Sequence, residues 1–128
     1  MTLADLLERA VLRQPRAEAL VDGATRLTYA DLDARSAALA RGLAGLGVGR
    51  RDRVLIALRN RAEHVLAYWA CQRLAAVAVP INFRLAAGEV AYLLGDSGAR
   101  VVFFEAGTAP AVLEAAAGRD VARVFVGG

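Results

Sequence analysis

Lysine is absent from the sequence, and all 16 basic residues are arginines. This absence excludes every mechanism that needs a lysine within the chain. The excluded mechanisms include phosphate binding by a GxxxxGK[ST] loop, Schiff-base formation, and neutralisation of a transferring phosphoryl group by lysine. Against 13 acidic residues the arginines leave a net charge of only +3.

Cysteine and histidine occur once each, as Cys71 and His64. A single cysteine excludes an intrachain disulfide and a cysteine cluster for a metal ion. Cys71 falls on the apolar side of a predicted helix, with no base nearby in the sequence, so we expect a small core residue rather than a nucleophile. No metal site and no catalytic residue are predicted.

Long apolar runs are also missing. The longest, Leu74 to Ile81, is far shorter than the ~18 residues of a membrane span. The residues before Pro15 lack the basic start and apolar block of a secretory signal. We therefore expect a cytoplasmic protein. The 57% hydrophobic content, with only 6% aromatic residues, indicates one domain, residues 1–128, of packed helices and buried strands.

Helix starts are marked by a small polar residue followed three positions later by an acidic one, the pattern of a capping box. Such pairs are Thr2 with Asp5, Thr28 with Asp31, and Asn60 with Glu63. Thr108 is predicted to cap a short helix. In the helix after Asn60, an apolar stripe is predicted at Ala62, Val65, Leu66, Trp69 and Ala70.

Extended segments alternate with these helices. A hairpin is predicted from two short runs joined by Asp22-Gly23, which suits a tight turn. Later apolar runs read as strands buried in a parallel sheet, because each is followed by a helical crossover. These strands are residues 53–58, 76–81, 100–104 and 123–126. The predicted fold is a layered α/β unit with a mostly parallel sheet, flanking helices and a small amino-terminal hairpin. The run 71–85, CQRLAAVAVPINFRL, is predicted to contain a central strand.

The glycine-rich segment GLAGLGVG, residues 42–49, superficially resembles a dinucleotide-binding loop. Such loops follow a strand and open a helix, whereas these glycines close a helix and lead into a strand. Gly47 is therefore predicted to be a left-handed helix terminator.

Three segments together resemble the adenylate-forming superfamily of acyl- and aryl-CoA synthetases, luciferases and peptide-synthetase adenylation domains. Residues 27–54 are similar to its L-T-Y-x-E/D-L opening and its G-V-x-x-G-D-R-V run. Residues 59–85 are similar to its P-N-x-x-E-F helix and its K-x-G-A-V-x-V-P-x-N-x-R-L strand, and residues 89–104 to its E-x-x-Y-x-L-x-D-S-x-A-x-x-x-F run. The PINFRL form favours acyl- and aryl-CoA synthetases.

The chain differs from the family pattern at three single positions and lacks three of the family's motifs. Ala75 stands where glycine is usual, Arg73 near the usual lysine, and Arg59 where proline is common. The family's phosphate loop ending in lysine, its ATP-binding aspartate and its catalytic lysine have no match. The resemblance therefore implies the amino-terminal subdomain of a larger, incomplete fold. It also implies ATP, Mg2+ and coenzyme A as cofactors of the full-length parent, with none binding tightly to this chain.

Ligand sites of parallel sheets form beyond the carboxyl ends of the strands. The candidate segments there are Arg59 to Arg61, Asn82 to Arg84, and Gly107-Thr108, with Asn82 and Arg84 as the candidates for a pocket edge. Each residue also has a structural interpretation. Asn60 and Thr108 would be helix caps, and Asn82 and Arg84 would fix a turn by hydrogen bonds.

Three functions stay open at this stage. The first is a fragment of an acyl-CoA synthetase, itself inactive, with the remainder of the synthetase as its partner and a carboxylic acid as the parent's substrate. The second is a free-standing α/β module that binds a nucleotide or anion through an arginine-rich surface. The third is an interaction protein that binds nucleic acid or an anionic membrane through Arg50, Arg51, Arg53, Arg59 and Arg61, which the low net charge disfavours. For the isolated chain, self-association through uncovered sheet surface is expected.

Overall fold

A computed structural model describes all residues from Met1 to Gly128 and contains five helices and six strands. Along the chain these are α1 (Leu3–Arg13), β1 (Glu18–Asp22), β2 (Thr25–Thr28), α2 (Tyr29–Gly45), β3 (Arg53–Ala57), α3 (Ala62–Leu74), β4 (Val77–Pro80), α4 (Ala87–Ser97), β5 (Val101–Phe104), α5 (Ala109–Ala116) and β6 (Ala122–Phe125). The predicted α/β class, the parallel sheet and the amino-terminal hairpin are confirmed. None of the five helices combines the length and the apolar character that crossing a membrane requires.

Two capping boxes form as predicted. Thr2 accepts a hydrogen bond from the Asp5 backbone N–H, and Asp5 accepts one from the Thr2 N–H in return. Thr28 and Asp31 repeat this exchange at the start of α2. Each box satisfies two of the backbone donors that a helix leaves unpaired at its amino end.

Helix ends use left-handed residues, which turn the chain back toward the sheet. Gly47 follows α2 with φ +89, and Gly98 ends α4 with φ +62. The third case is Ala75 after α3, with φ 54 and ψ 27. The backbone handedness explains why glycine suits this position, since a Cβ disfavours the left-handed region.

The main sheet has four parallel strands in the order β4-β3-β5-β6. The prediction of a central strand within residues 71–85 is wrong, because β4 lies at an edge. Its burial is accordingly incomplete, with Val77 45% exposed and Pro80 exposed. Edge strands tolerate proline because one side of the strand needs no ladder hydrogen bond. The central strands are β3 and β5.

Helices cover both faces of the sheet and make two cores. On one face Val54 and Ile56 of β3 pack with Ala67, Ala70 and Cys71 of α3. Across the sheet, Leu55 and Ala57 pack against α4 and α5. The strands β3 and β5 are buried on both faces, as their continuous apolar sequences predict.

The apolar stripe predicted for α3 is rotated. Ala67 and Cys71 are buried instead of Val65, Leu66 and Trp69, which are half-buried. The physical reason is that α3 is enclosed by α2, α1 and the hairpin as well as by the sheet. Its small residues Ala67, Ala70 and Cys71 are therefore the ones that pack in the core with α2 and β3.

A polar clamp joins α2 to α3. The Arg73 guanidinium donates to the hydroxyl of Ser36 (3.0 Å), to the backbone oxygen of Asp33 (3.2 Å) and to the Asp33 carboxylate. Ser36 is fully buried and donates in turn to the Asp33 backbone oxygen at 3.1 Å. The clamp therefore ties the last turn of α3 to α2.

Candidate functional site

The sheet has a topological switch point between its two central strands. β3 continues into α3 on one face and β5 continues into α5 on the other, so the connections leave in opposite directions. In open α/β sheets the crevice at such a point, beyond the carboxyl ends of the strands, is the usual ligand site. Here it is formed by residues 58–61 and 105–108.

Glu105 lies in this crevice and is buried, with 8% of the residue exposed. One carboxylate oxygen accepts the backbone N–H of Arg59 at 2.6 Å, and the other accepts Arg61 Nη1 at 3.2 Å. The contact ties the exit of β5 to the loop after β3. Sequence reasoning missed Glu105, although an acidic residue directly after the apolar run RVVFF was a usable signal.

Thr108 stabilises the same crevice but does not cap α5. Its hydroxyl donates to the backbone oxygen of Ala57 at 2.8 Å and accepts the N–H of Glu105 at 3.0 Å. No side-chain hydrogen bond reaches the amides at the start of α5. The predicted cap is therefore wrong, because the hydroxyl is used between strands. We call Arg59, Arg61, Glu105 and Thr108 the switch-point network.

The cap predicted at Asn60 is also wrong. The first residue of α3 is Ala62, and its N–H donates at 2.8 Å to the carboxylate of Asp22, which is 40 positions away on the hairpin. Asn60 is exposed and makes no such bond. An anion at a helix amino end satisfies free donors and interacts favourably with the helix dipole, so the hairpin supplies the cap that the loop lacks.

Arg61 is the most connected side chain of the network. Its guanidinium donates to Glu63 (2.9 Å), to Glu105 (3.2 Å) and to the backbone oxygen of Gly127 (2.8 Å). The hydrogen bond to Glu63, followed by the charges of Glu63 and Glu105, raises the pKa of Arg61 above its ordinary value. With its donors engaged by the chain itself, Arg61 has a structural role.

The turn after β4 contains the two predicted pocket-edge residues. Asn82 accepts the backbone N–H of Arg84 through its side-chain oxygen at 2.8 Å, as expected for a turn-fixing asparagine. The guanidinium carbon of Arg84 lies 5.4 Å from the centre of the Phe83 ring, and that of Arg59 lies 5.8 Å from the same ring. The structure thus brings Arg59 and Arg84 together around Phe83, a pairing that the sequence did not predict.

The remaining arginines of the proposed cluster lie at the other end of the sheet. Arg53 donates to the backbone oxygens of Ser97 (2.6 Å) and Arg51 (3.2 Å). Arg100, which is outside the proposed cluster, pairs with Asp52 at 3.2 Å. Arginine therefore satisfies carbonyls at the end of α4. The cluster is divided between two ends of the molecule, so it forms no single basic surface.

Cys71 lies in the core, and His64 lies in the first turn of α3. Cys71 is fully buried, and this burial raises the pKa of its thiol to about 11. His64 Nδ1 lies 3.2 Å from the backbone oxygen of Leu58, at the start of α3. No group of three potential metal ligands is present, and the expectation of Cys71 as a core residue is confirmed.

Comparison with known proteins adds the family. A family model described as "AMP-binding enzyme" matches residues 7–126. The chain belongs to the AMP-binding enzyme family. It is 41% identical over 109 residues to the long-chain-fatty-acid–CoA ligase FadD13 of Mycobacterium tuberculosis, covering 84% of this chain and 22% of that protein. It is also 41% identical over 111 residues to a feruloyl-CoA synthase of Amycolatopsis sp., covering 87% of this chain and 23% of the relative. The chain thus spans less than a quarter of the length of these curated relatives.

Solved structures of related enzymes share the fold. The N-terminal domain of FACL13 from Mycobacterium tuberculosis superposes with a TM-score of 0.88 and 34% identity, covering 100% of this chain and 34% of that one. A benzoate CoA ligase from Burkholderia xenovorans gives a TM-score of 0.93 over 98% of this chain and 26% of that one. At 23% identity this second likeness concerns the fold alone. The family resemblance that the sequence motifs indicated is confirmed.

Proposed function

We propose that the chain is the amino-terminal part of an ATP-dependent acyl-CoA synthetase. In the proposed parent reaction, an oxygen of a carboxylic acid attacks the α-phosphorus of ATP, forming an acyl-adenylate and releasing pyrophosphate. The sulfur of coenzyme A then attacks the acyl carbon, and AMP leaves. The family match over residues 7–126 carries this proposal, together with relatives described as long-chain-fatty-acid–CoA ligase and feruloyl-CoA synthase.

The chain supplies scaffold to this reaction rather than catalytic groups. Stabilising negative charge on a transferring phosphoryl group needs cations or preorganised donors aimed at phosphate. The chain has no lysine, and Arg61, at the switch point, donates to its own protein. ATP, Mg2+ and coenzyme A are therefore assigned to the whole protein, with the remainder of the synthetase as the partner of this chain.

Asn82 and Arg84 form a pocket edge in this proposal. The support is local: Asn82 fixes the turn, and Arg84 and Arg59 lie on one aromatic ring with no carboxylate bonded to either guanidinium. Free guanidinium groups bind phosphate or carboxylate oxygens well. An anionic group on a ligand of the whole enzyme is the chemistry that this edge suits.

The alternative of a free-standing nucleotide- or anion-binding module has less support. At the amino end of α3, where an anion would bind, the Asp22 carboxylate already accepts the Ala62 N–H. At the switch point, Glu105 accepts the Arg59 N–H. Two carboxylates at these positions repel a phosphate. Binding of nucleic acid is disfavoured in the same way, because the arginines form no continuous surface.

Two assays test the proposal. The 128-residue chain should release no pyrophosphate from ATP with any carboxylic acid, and robust turnover by the pure chain would contradict the fragment assignment. A chimera in which residues 7–126 replace the aligned segment of the mycobacterial ligase should form acyl-CoA. In that chimera Arg84→Ala should raise the KM of an anionic ligand, while Arg16→Ala, at an exposed position, should not. A cytoplasmic location is part of the proposal and is checked by cell fractionation.

A further inference from the structure

The backbone of Arg59 is held at both its N–H and its C=O group by side chains from other elements. The N–H donates at 2.6 Å to the carboxylate of Glu105, directly after β5. The carbonyl oxygen lies 3.3 Å from Nδ1 of His64, in the first turn of α3, and this nitrogen also lies 3.2 Å from the carbonyl oxygen of Leu58. Both oxygens can only accept, so Nδ1 carries the proton and donates to them. The backbone at Arg59 is therefore fixed by the exit of β5 and by the first turn of α3.

The side chain of Arg59 extends from this fixed backbone across the crevice. Its guanidinium carbon lies 5.8 Å from the centre of the Phe83 ring, after β4, and a Cβ at Gly107, after β5, would lie 3.7 Å from its Nη2 atom. The guanidinium carbon of Arg84 lies 5.4 Å from the centre of the same ring. Neither guanidinium forms an ion pair with a carboxylate of the chain. Two positive charges therefore lie at one aromatic ring, beyond the carboxyl ends of three neighbouring strands, without a neutralising carboxylate.

We propose that Glu105 and His64 are positioning residues, which hold Arg59 so that its guanidinium binds a phosphate group together with that of Arg84. A phosphate group carries up to two negative charges and several acceptor oxygens, and guanidinium groups bind it through paired N–H donors. A carboxylate carries a single charge and would leave one of the two guanidinium charges uncompensated. An arginine whose backbone is already fixed also loses less conformational entropy when it binds an anion.

The choice of ligand rests on the proposed function, in which the whole enzyme uses ATP and coenzyme A, because both molecules carry phosphate groups. The positioning of Arg59 rests on the structure of this chain alone. Arg59 stands where proline is common in the family pattern. Proline has no backbone N–H for Glu105 to accept, and its side chain carries no charge. The phosphate subsite therefore depends on a residue that the family pattern does not supply.

Phosphate binding is measured on the 128-residue chain by NMR, from the side-chain Nε–H signals of its arginines. Inorganic phosphate should shift the signals of Arg59 and Arg84 in a saturable way, and acetate at the same ionic strength should bind ~threefold more weakly or less tightly still. Arg59→Ala should weaken phosphate binding ~fivefold. The matched control is Arg41→Ala, at an exposed position on α2, which should leave the affinity unchanged. Equal affinities for phosphate and acetate, or equal affinities of Arg59→Ala and Arg41→Ala for phosphate, overturn the proposal.

Substitution of the positioning residues separates their role from a general effect on stability. Glu105→Gln keeps an oxygen acceptor for the Arg59 N–H, and His64→Asn keeps a side-chain N–H donor, so both variants should bind phosphate like the wild type. Glu105→Ala and His64→Phe remove these groups and should each weaken phosphate binding ~threefold. Circular dichroism confirms that each variant is folded.

A double-mutant cycle tests whether both residues act through Arg59. In the Arg59→Ala background, Glu105→Ala and His64→Phe should cause no further loss of phosphate affinity, because the side chain that they position is gone. Equal losses with and without the Arg59 side chain would indicate a general structural effect and overturn the proposal. Loss of binding in Glu105→Gln and His64→Asn to the level of Glu105→Ala and His64→Phe overturns it as well.

The chimera with the mycobacterial ligase identifies the ligand that carries the phosphate group. In an active chimera Arg59→Ala should raise the KM of ATP or that of coenzyme A ~fivefold and leave the KM of the carboxylic acid unchanged. An unchanged KM for both, or a rise confined to the carboxylic acid, overturns the phosphate assignment. Phosphate binding by the chain together with an inactive chimera contradicts the proposed function and supports this inference, whereas acyl-CoA formation without phosphate binding by the chain does the reverse.

Discussion

Replacing Glu105 by alanine tests whether the switch-point network stabilises the fold. The substitution removes the acceptor of the Arg59 N–H at 2.6 Å and the ion pair with Arg61 at 3.2 Å. Both side chains of the pair are largely buried, at 18% exposure for Arg61 and 11% for Glu105. The loss therefore occurs where water replaces the missing partner poorly.

The magnitude follows from the groups left behind. A hydrogen bond to a charged group contributes ~1.5–3 kcal/mol, and breaking a buried ion pair costs ~3–5 kcal/mol. Arg61 keeps Glu63 and the backbone oxygen of Gly127, so the lower end applies. We expect Glu105→Ala to lower the free energy of unfolding by ~3 kcal/mol, which corresponds to ~10 °C in Tm for a domain of this size.

Urea unfolding followed by circular dichroism measures the loss. Glu105→Gln keeps an acceptor for the Arg59 N–H and should lose only ~1 kcal/mol. Glu114→Ala, at an exposed position on α5, is the matched control and should stay within ~0.5 kcal/mol of the wild type. If Glu105→Ala unfolds at the same urea concentration as Glu114→Ala, the crevice is not held by the buried carboxylate and the argument fails.

Two further predictions concern the other carboxylates. Asp22→Ala should lower the free energy of unfolding by ~1 kcal/mol through loss of the cap on α3. Asn60→Ala should have little effect. If thermal unfolding shows the larger loss for Asn60→Ala, Asn60 is the cap of α3, as the sequence predicted. The hydrogen bond from the backbone N–H of Gly49, and after it the contact with Arg100, lowers the pKa of Asp52 from its ordinary value. A lowered pKa in the folded state contributes stability above the unfolded pKa and loses it as pH falls through the folded pKa. Asp52→Asn should therefore make the free energy of unfolding fall less steeply as the pH is lowered. Urea unfolding at a series of pH values measures this, and an unchanged slope at acid pH would count against the contact.

The course of the chain could be predicted from the sequence because its signals are local. The capping boxes at Thr2 and Thr28, the terminator Gly47 and the apolar run of β5 each act within a few residues, and the structure has them as predicted. Strand order is different. An apolar run such as that of β4 predicts a buried strand but does not predict where the strand lies in the sheet. The position of β4 at the edge follows from how the helical crossovers pack.

The site was less predictable because its contacts join distant parts of the chain. Asp22 caps a helix 40 positions away, and Glu105 bonds a residue 46 positions away. Local patterns therefore assigned the cap to Asn60 and the hydroxyl of Thr108 to the nearest helix start. Both assignments failed because a longer-range partner provided better geometry.

The left-handed backbone of Ala75 changes how a family motif is interpreted. A left-handed conformation costs a residue with a Cβ ~1–2 kcal/mol, whereas glycine avoids the strain but adds ~0.4–1 kcal/mol of unfolded-chain entropy. The two effects partly offset each other, so alanine in place of glycine costs little stability at this position. This position of the motif therefore reflects the left-handed turn by which α3 leads into β4.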